Sequence, residues 1–210
     1  MANFVKYYFL FVTAIMLVTN NVFAQLEKQI CNKEVDGIYF TISDFKTQKL
    51  TRSTDKKHKG DKIKLKQFFI SPKIISIEQK TETVFNKDSI FAIQLLNGDN
   101  YRFINRTTCL IADTSYLYIY TYKTIQTIKG QSGPRRTEKQ IPITTYYFSY
   151  GNHKEVFLLT MVNLRKKVLT DVALHTAICN KFTNDEMLFE RNNKTGRFVL
   201  NETILSNLKK

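Results

Sequence analysis

The apolar residues of this 210-residue chain follow two different spacings, and the two spacings occupy separate parts of the sequence. Between residues 37 and 160 apolar residues tend to recur at every second position, which is the period of a β-strand with one buried face. After Thr160 they recur at every third or fourth position, which is the period of an amphipathic helix. Strands and helices in separate blocks, without βαβ alternation, predict an α+β fold built on an antiparallel sheet.

The first block predicts roughly seven to nine strands. They are expected at residues 37–42, 63–70, 74–78, 89–96, 101–104, 108–112, 116–124, 143–150 and 156–159. Asn97-Gly98 lies between two of these runs, and an Asn-Gly pair tolerates the positive φ angles of a tight turn. This pair therefore predicts a hairpin that joins residues 89–96 to residues 101–104.

The second block predicts two amphipathic helices and a shorter third one. Thr170-Asp171 supplies an N-cap for the second helix, and Asn184-Asp185 does the same for the third, over Glu186 to Arg191. The residues after Gly196 predict a weak helix or a tail. Residues 25–210 are thus predicted to form a single β-rich domain, with a helical part over about 160–208.

The N-terminal segment has the pattern of a cleavable secretory signal peptide. Lys6 precedes an apolar run over residues 7–18, and a short polar stretch then ends at Ala24. A transmembrane anchor is the alternative, but this run is shorter than the roughly 20 residues that span a bilayer. We expect cleavage of residues 1–24, a mature chain without a stable membrane span, and export to the periplasm, the outer surface or the medium.

Export places the cysteines in an oxidising compartment, where thiols can pair. Cys31, Cys109 and Cys179 allow three alternative single disulfides, and the alternative is that all three are small buried hydrophobic residues. No CxxC spacing, HExxH, P-loop or GxGxxG motif occurs. The sequence therefore predicts neither a metal site nor a cofactor.

Positive charge is concentrated in two segments of a chain whose formal net charge is +14. Residues 46–66 contain nine Lys or Arg and two Asp, and a second group lies in the predicted loop after Lys129. If these segments share one end of the sheet, they form a patch for a polyanion such as an acidic glycan, lipopolysaccharide or nucleic acid. The alternative is a solvated surface without a partner. The predicted polyanion-binding residues are Lys56, Lys57, Lys59, Lys62, Arg135 and Arg136.

Four tyrosines alternate with other residues along one predicted strand, at Tyr116, Tyr118, Tyr120 and Tyr122. Phenol rings on one face of a strand are suited to stacking on sugar rings or bases. Cross-strand packing, with each hydroxyl reaching water, is the alternative.

Six short strings, in order, resemble a family of secreted bacterial proteins of unknown function. The strings are Gly37 to Phe45, Phe91-Ala92 with Tyr101-Arg102-Phe103, Ala112-Asp113-Thr114 with Tyr118-Ile119-Tyr120, residues 145–149, Leu159-Thr160 and Asn163-Leu164. The resemblance implies export from a Gram-negative cell and a small β-rich domain with a helical C-terminal portion. It implies no catalytic residue, substrate or cofactor.

Taken together, these patterns favour a non-enzymatic envelope or extracellular domain with a binding or structural role. A small exported hydrolase, with a site that no motif reveals, is the alternative.

Overall fold

A computed structural model describes residues 35–53, 62–65, 67–78, 80–132, 135–151, 155–169 and 171–208. The predicted signal peptide and Cys31 lie outside these residues, and so do three of the predicted polyanion-binding residues, Lys56, Lys57 and Lys59. Within the described ranges, strands dominate up to residue 158 and helices dominate after residue 160.

The strands are β1 (Gly37–Tyr39), β2 (Arg52–Ser53), β3 (Lys62–Ile63), β4 (Lys73–Glu78), β5 (Thr81–Asn86), β6 (Ala92–Gln94), β7 (Asn100–Ile104), β8 (Thr107–Asp113), β9 (Tyr118–Ser132), β10 (Arg135–Ser149) and β11 (Phe157–Leu158). The α-helices are α1 (Ile42–Lys46), α2 (Gln67–Ile70), α3 (Met161–Lys167), α4 (Val172–Lys181) and α5 (Val199–Leu208). Two short 3-10 helices cover Lys87–Ser89 and Glu186–Phe189.

Eight strands form one antiparallel sheet in the order β11-β10-β9-β8-β7-β6-β1-β2, and β3, β4 and β5 form a second, three-stranded sheet. This arrangement, followed by the C-terminal helices, confirms the predicted α+β class. The chain divides into two compact units, Met1–Asp99 and Asn100–Lys210, each described by itself below. The single-domain organisation stays a prediction.

In the first unit, a capping box ends the first predicted strand three residues early. The Thr41 hydroxyl accepts a hydrogen bond from the Asp44 backbone N–H, and the Asp44 carboxylate accepts one from the Thr41 backbone N–H, both at 3.0 Å. These bonds start α1, so Ile42 is helical. α1 places Phe45 in the core, where its ring centroid lies 5.2 Å from that of Tyr39.

Two other strand predictions in this unit are corrected or refined. The strand predicted over residues 63–70 is wrong after Ile63, because α2 occupies its second half. The predicted hairpin at Asn97-Gly98 is confirmed, with Gly98 at a φ of 83°. Leu95 and Asp99 close it through a 2.9 Å hydrogen bond from N to O, so the loop is one residue longer than the Asn-Gly pair.

In the second unit, the core lies between one face of the sheet and the C-terminal helices. Leu117, Ile119 and Phe148 supply the strand side. The helices and their connections supply Leu164, Leu174, Ile178, Phe182, Leu200 and Ile204, among others. The sequence underestimated α5, whose apolar face is buried although a weak helix or tail is predicted there.

The other helix predictions hold with one change. The Asp171 carboxylate accepts the Leu174 backbone N–H at 2.8 Å, which confirms the predicted N-cap of α4. The predicted third helix is a 3-10 helix over Glu186–Phe189. Asn184 of the predicted cap accepts the Met187 backbone N–H at 3.0 Å, whereas the Asp185 carboxylate accepts the backbone N–H of Met161 at 2.7 Å. Across the described residues, none of the helices has the length and hydropathy needed to cross a bilayer.

Candidate functional site

The hairpin of β9 and β10 is the most distinctive element of the second unit. Each strand has 15 residues, and their pairing runs without a register shift from Tyr118↔Ser149 to Ser132↔Arg135. Strands in globular proteins are usually 3–10 residues long. The outer part of this hairpin, residues 123–132 and 135–144, is called the arm below. At about 3.3 Å per residue, the arm is about 30 Å long.

Neighbouring strands hold only the inner end of the hairpin, in the part of the chain that the structure describes. β8 pairs with Ile119, Tyr120 and Thr121 of β9. β11 pairs with Tyr147 and Phe148 of β10. The arm is therefore two-stranded, and its two edges carry no described strand.

Burial changes along the same two strands. At the inner end, Tyr118, Tyr120 and Phe148 are buried. In the arm, three isoleucines have exposed side chains, with exposed fractions of 65% for Ile125, 46% for Ile128 and 37% for Ile143. By strand alternation Ile125 lies on one face of the hairpin, and Ile128 and Ile143 lie on the other, so each face offers an exposed apolar side chain for contact with another molecule.

The arm is also strongly basic. Its sequence contains five Lys or Arg and one acidic residue, Glu138. Arg135 and Arg136 lie together at its outer end, opposite Ser132 and Gln131. The structure thus places two predicted polyanion-binding residues on one element, which the sequence had assigned to a loop.

The other predicted polyanion-binding residues lie elsewhere. Lys62 is exposed on β3 of the first unit, where it pairs with Ile77. Lys56, Lys57 and Lys59 are outside the described residues. A joint basic patch stays a prediction.

The four predicted tyrosines do not form one exposed row. Tyr118, Tyr120 and Tyr122 lie on β9, but Tyr116 lies in the bend before it and packs against the helix-side core. The Tyr116 ring centroid is 5.7 Å from that of Tyr150, and burial raises the pKa of Tyr116 to about 12. Tyr122 is half-buried. Ligand stacking by this set stays a prediction.

A buried polar cluster cross-links the strands at the inner end of the hairpin. The Arg102 guanidinium of β7 donates to the Tyr120 hydroxyl at 2.7 Å, and that hydroxyl also lies 2.8 Å from the Ser149 hydroxyl of β10. Burial raises the pKa of the Tyr120 phenol. Ser149 therefore contacts a buried phenol, and this geometry is that of a structural link between β7, β9 and β10.

The two described cysteines are free thiols in different surroundings. Cys109 lies opposite Arg102 in the sheet, and burial raises the pKa of its thiol to about 11. Cys179 lies on α4, with its sulfur 3.7 Å from Nε2 of His175. Cys109 and Cys179 are thus not joined to each other. The described residues contain no cluster of three or more His, Cys, Asp or Glu able to hold a metal ion.

The first unit contains an open cavity of about 670 Å³. Its walls are mainly apolar, and they include Leu65, Phe69 and Leu95. Asp36 also lines it, and burial raises the pKa of this carboxyl, although the backbone N–H of Leu96 opposes the shift. The cavity has the size of a small-molecule site, but Asp36 and Lys64 at its wall have opposite charges and select no one ligand class.

No protein-family model matches this chain, and neither the curated proteins nor the solved structures contain a significant match to it.

Sequence reasoning missed the arm, because the predicted strands end at Thr124 and begin again at Ile143. The spacing of three between Ile125 and Ile128 breaks the strand period on which the prediction depends. One signal was available. Gly133-Pro134 is a turn dipeptide, and it lies midway between two stretches rich in Thr and Ile.

Proposed function

We propose that this chain is an exported, non-enzymatic binding domain whose arm contacts a negatively charged partner. The observation that carries this proposal is the arm itself, a two-stranded element with exposed isoleucines and a charge of five basic residues against one acid. A mature protein of this kind acts in the envelope or outside the cell.

Charge and position support the proposal in the same direction. Basic residues clustered on one exposed hairpin attract a polyanion, and their field acts over roughly one Debye length, about 8 Å at physiological salt. Arg135 and Arg136, at the outer end, are the residues on which this attraction depends most. Acidic glycans, lipopolysaccharide and other polyanions share the chemistry that such residues bind.

The test is retention of the full-length chain on immobilised heparin, with heparin as the polyanion probe. The variant Arg135→Glu with Arg136→Glu is compared with Arg165→Glu with Lys166→Glu, an exposed pair on α3. Both variants change the net charge equally. We expect the arm variant to elute at least about 0.1 M earlier in NaCl, and the α3 variant to shift by less than half as much.

Equal shifts for the two variants would show that only net charge governs retention. The arm would then not be the polyanion-binding element, and that part of the proposal would be wrong.

A further inference from the structure

We propose that the outer edge of β9 in the arm binds an extended acidic polypeptide segment as an added β-strand. This inference rests on the proposed function, and it specifies both the partner and the mode of contact. In strand addition, main-chain hydrogen bonds supply affinity, and the side chains beside the new strand supply specificity.

Pro142 fixes which backbone groups point outward. It pairs with Ile125 across the hairpin. Proline has no N–H, so this pair cannot be one of the hydrogen-bonded pairs of the antiparallel ladder. The N–H and C=O of Ile125 therefore point away from β10, towards the outer edge of β9.

A second, independent observation shows the same alternation of inward-pointing and outward-pointing backbone groups. The carbonyl of Tyr146 accepts a 2.9 Å hydrogen bond from Leu159, which lies on the far side of β10 from β9. Even-numbered residues of β10 therefore point to its outer edge. Because the register is unbroken, the residues of β9 that point to its own outer edge are the odd-numbered ones. In the arm they include Ile125, Thr127, Lys129 and Gln131.

β8 does not extend far enough to cover this edge. Leu110 pairs with Thr121, and continuing that register would place Thr107, the first residue of β8, opposite Thr124. From Ile125 onward, no described strand lies in register with β9. Four successive outward residues thus offer eight backbone hydrogen-bonding groups, which is enough for a strand of about seven residues.

The two edges of the arm are not equivalent. Pro142 removes a donor from the β10 edge near the inner end of the arm, opposite Ile125, and a proline on an edge strand is one of the ways in which proteins hinder strand addition. The β9 edge contains no proline between Ile125 and Gln131. A proline therefore interrupts the β10 edge, whereas the β9 edge is uninterrupted over these residues.

Charge decides what kind of strand fits. A second copy of the chain would bring an equally basic arm against this one, and like charges on adjacent strands are destabilising. An acidic segment has the complementary charge. The exposed side chain of Ile125 favours an apolar or β-branched residue beside it, and the exposed Lys123 favours a carboxylate near that end of the strand.

The probe is a fluorescein-labelled nine-residue peptide in which Glu alternates with Val, added to the full-length chain. Thr127 and Gln140 form one cross-strand pair, and their N–H groups point to opposite edges. The variants Thr127→Pro and Gln140→Pro therefore place the same substitution in the same rung on the two edges. We expect Thr127→Pro to weaken peptide binding at least tenfold, and Gln140→Pro to change it less than twofold.

Hydrogen exchange on the unaltered chain gives a readout that needs no variant. On addition of the peptide, the amides of Ile125 and Thr127 are expected to become protected, and the amide of Gln140 is expected to exchange as before. If the arm of either proline variant does not fold, this measurement on the unaltered chain still tests which edge the peptide binds.

Three outcomes would overturn the inference. The first is equal loss of binding in both proline variants without selective amide protection. The second is that a nine-residue polyglutamate binds the unaltered chain and Thr127→Pro equally well, and with the same affinity as the Glu-Val peptide. Charge attraction alone would then explain binding, and the proposed function would stand without strand addition. The third is dimerisation that Thr127→Pro abolishes and that excludes the peptide, which would make a second copy the occupant.

Discussion

The two ends of the β9–β10 hairpin have the same backbone and opposite environments. At the inner end, Tyr120 and Phe148 have no exposed surface, whereas Ile125 in the arm is 65% exposed. One continuous register joins these residues. The difference in burial between the two ends therefore does not come from a difference in strand pairing. The inner end has helices and neighbouring strands against it, whereas no described strand pairs with the outer edges of the arm.

This contrast separates two uses of the same structure. Burial at the inner end stabilises the fold, because apolar area removed from water contributes about 25 cal/mol per Å². The arm buries little, so its sequence is open to selection for contact with other molecules. The predictions below test how completely the two roles are divided.

The largest effect is expected where α5 is attached to the inner end. The Asn201 side chain accepts the Leu117 backbone N–H at 2.9 Å and donates to the Leu117 carbonyl at 3.0 Å, and it is fully buried. Asn201→Ala leaves both backbone groups without these partners, so we expect a loss of about 2–4 kcal/mol in the free energy of unfolding by urea.

The matched control for Asn201 is Ser206→Ala, at an exposed position on the same helix. Its expected change is within about 0.5 kcal/mol. A loss below about 1 kcal/mol for Asn201→Ala would show that α5 contributes little to the inner end.

A smaller loss is expected from the polar cluster. Tyr120→Phe removes the hydroxyl that contacts both Arg102 and Ser149, and a hydrogen bond to a charged group contributes about 1.5–3 kcal/mol. We expect urea unfolding to show a loss in that range. Tyr122→Phe, at the half-buried next site on the same face, is expected to change stability by less than about 0.5 kcal/mol. Similar values for the two variants would contradict the cross-link.

The smallest effect on stability is expected from removing most of the arm. Hydrogen-bonded and non-hydrogen-bonded pairs alternate along the hairpin, and because the Pro142–Ile125 pair is not hydrogen-bonded, the next pair, Thr124 and Ile143, is. Replacing residues 125–142 with Asn-Gly therefore joins Thr124 to Ile143 by a two-residue turn in the same register. We expect the free energy of unfolding to change by less than about 1 kcal/mol, and heparin retention to fall. A large loss of stability would show that the arm takes part in the fold.

The fold class could be predicted because it depends on hydrophobic period, which burial imposes on the sequence. Residues 74–78 lie on the three-stranded sheet and residues 108–112 on the eight-stranded sheet. Each range has a buried residue, Ile74 or Cys109, and both are strands as predicted. The cap at Asp171 could be predicted for a similar reason, since a short side chain satisfies backbone donors locally.

The rest depends on partners that a linear pattern does not specify. α5 carries a weak periodic signal because Asn201, a polar residue, occupies one of its buried positions. The arm lacks the strand period because neither face is buried, so selection for alternation is weak there. Sequence patterns missed the arm for the reason that makes it a candidate site, namely that the side chains of residues 123–128 and 138–140 are exposed.

Pro142 has a consequence for assembly. A strand that is open on both edges can add neighbours without limit, as in a cross-β fibril. In the arm, Pro142 removes a donor from the β10 edge, so two copies of this chain that paired through β9 would find no equivalent edge on which a third copy could repeat the contact. The interrupted β10 edge therefore hinders growth by repeated strand pairing between copies of this chain.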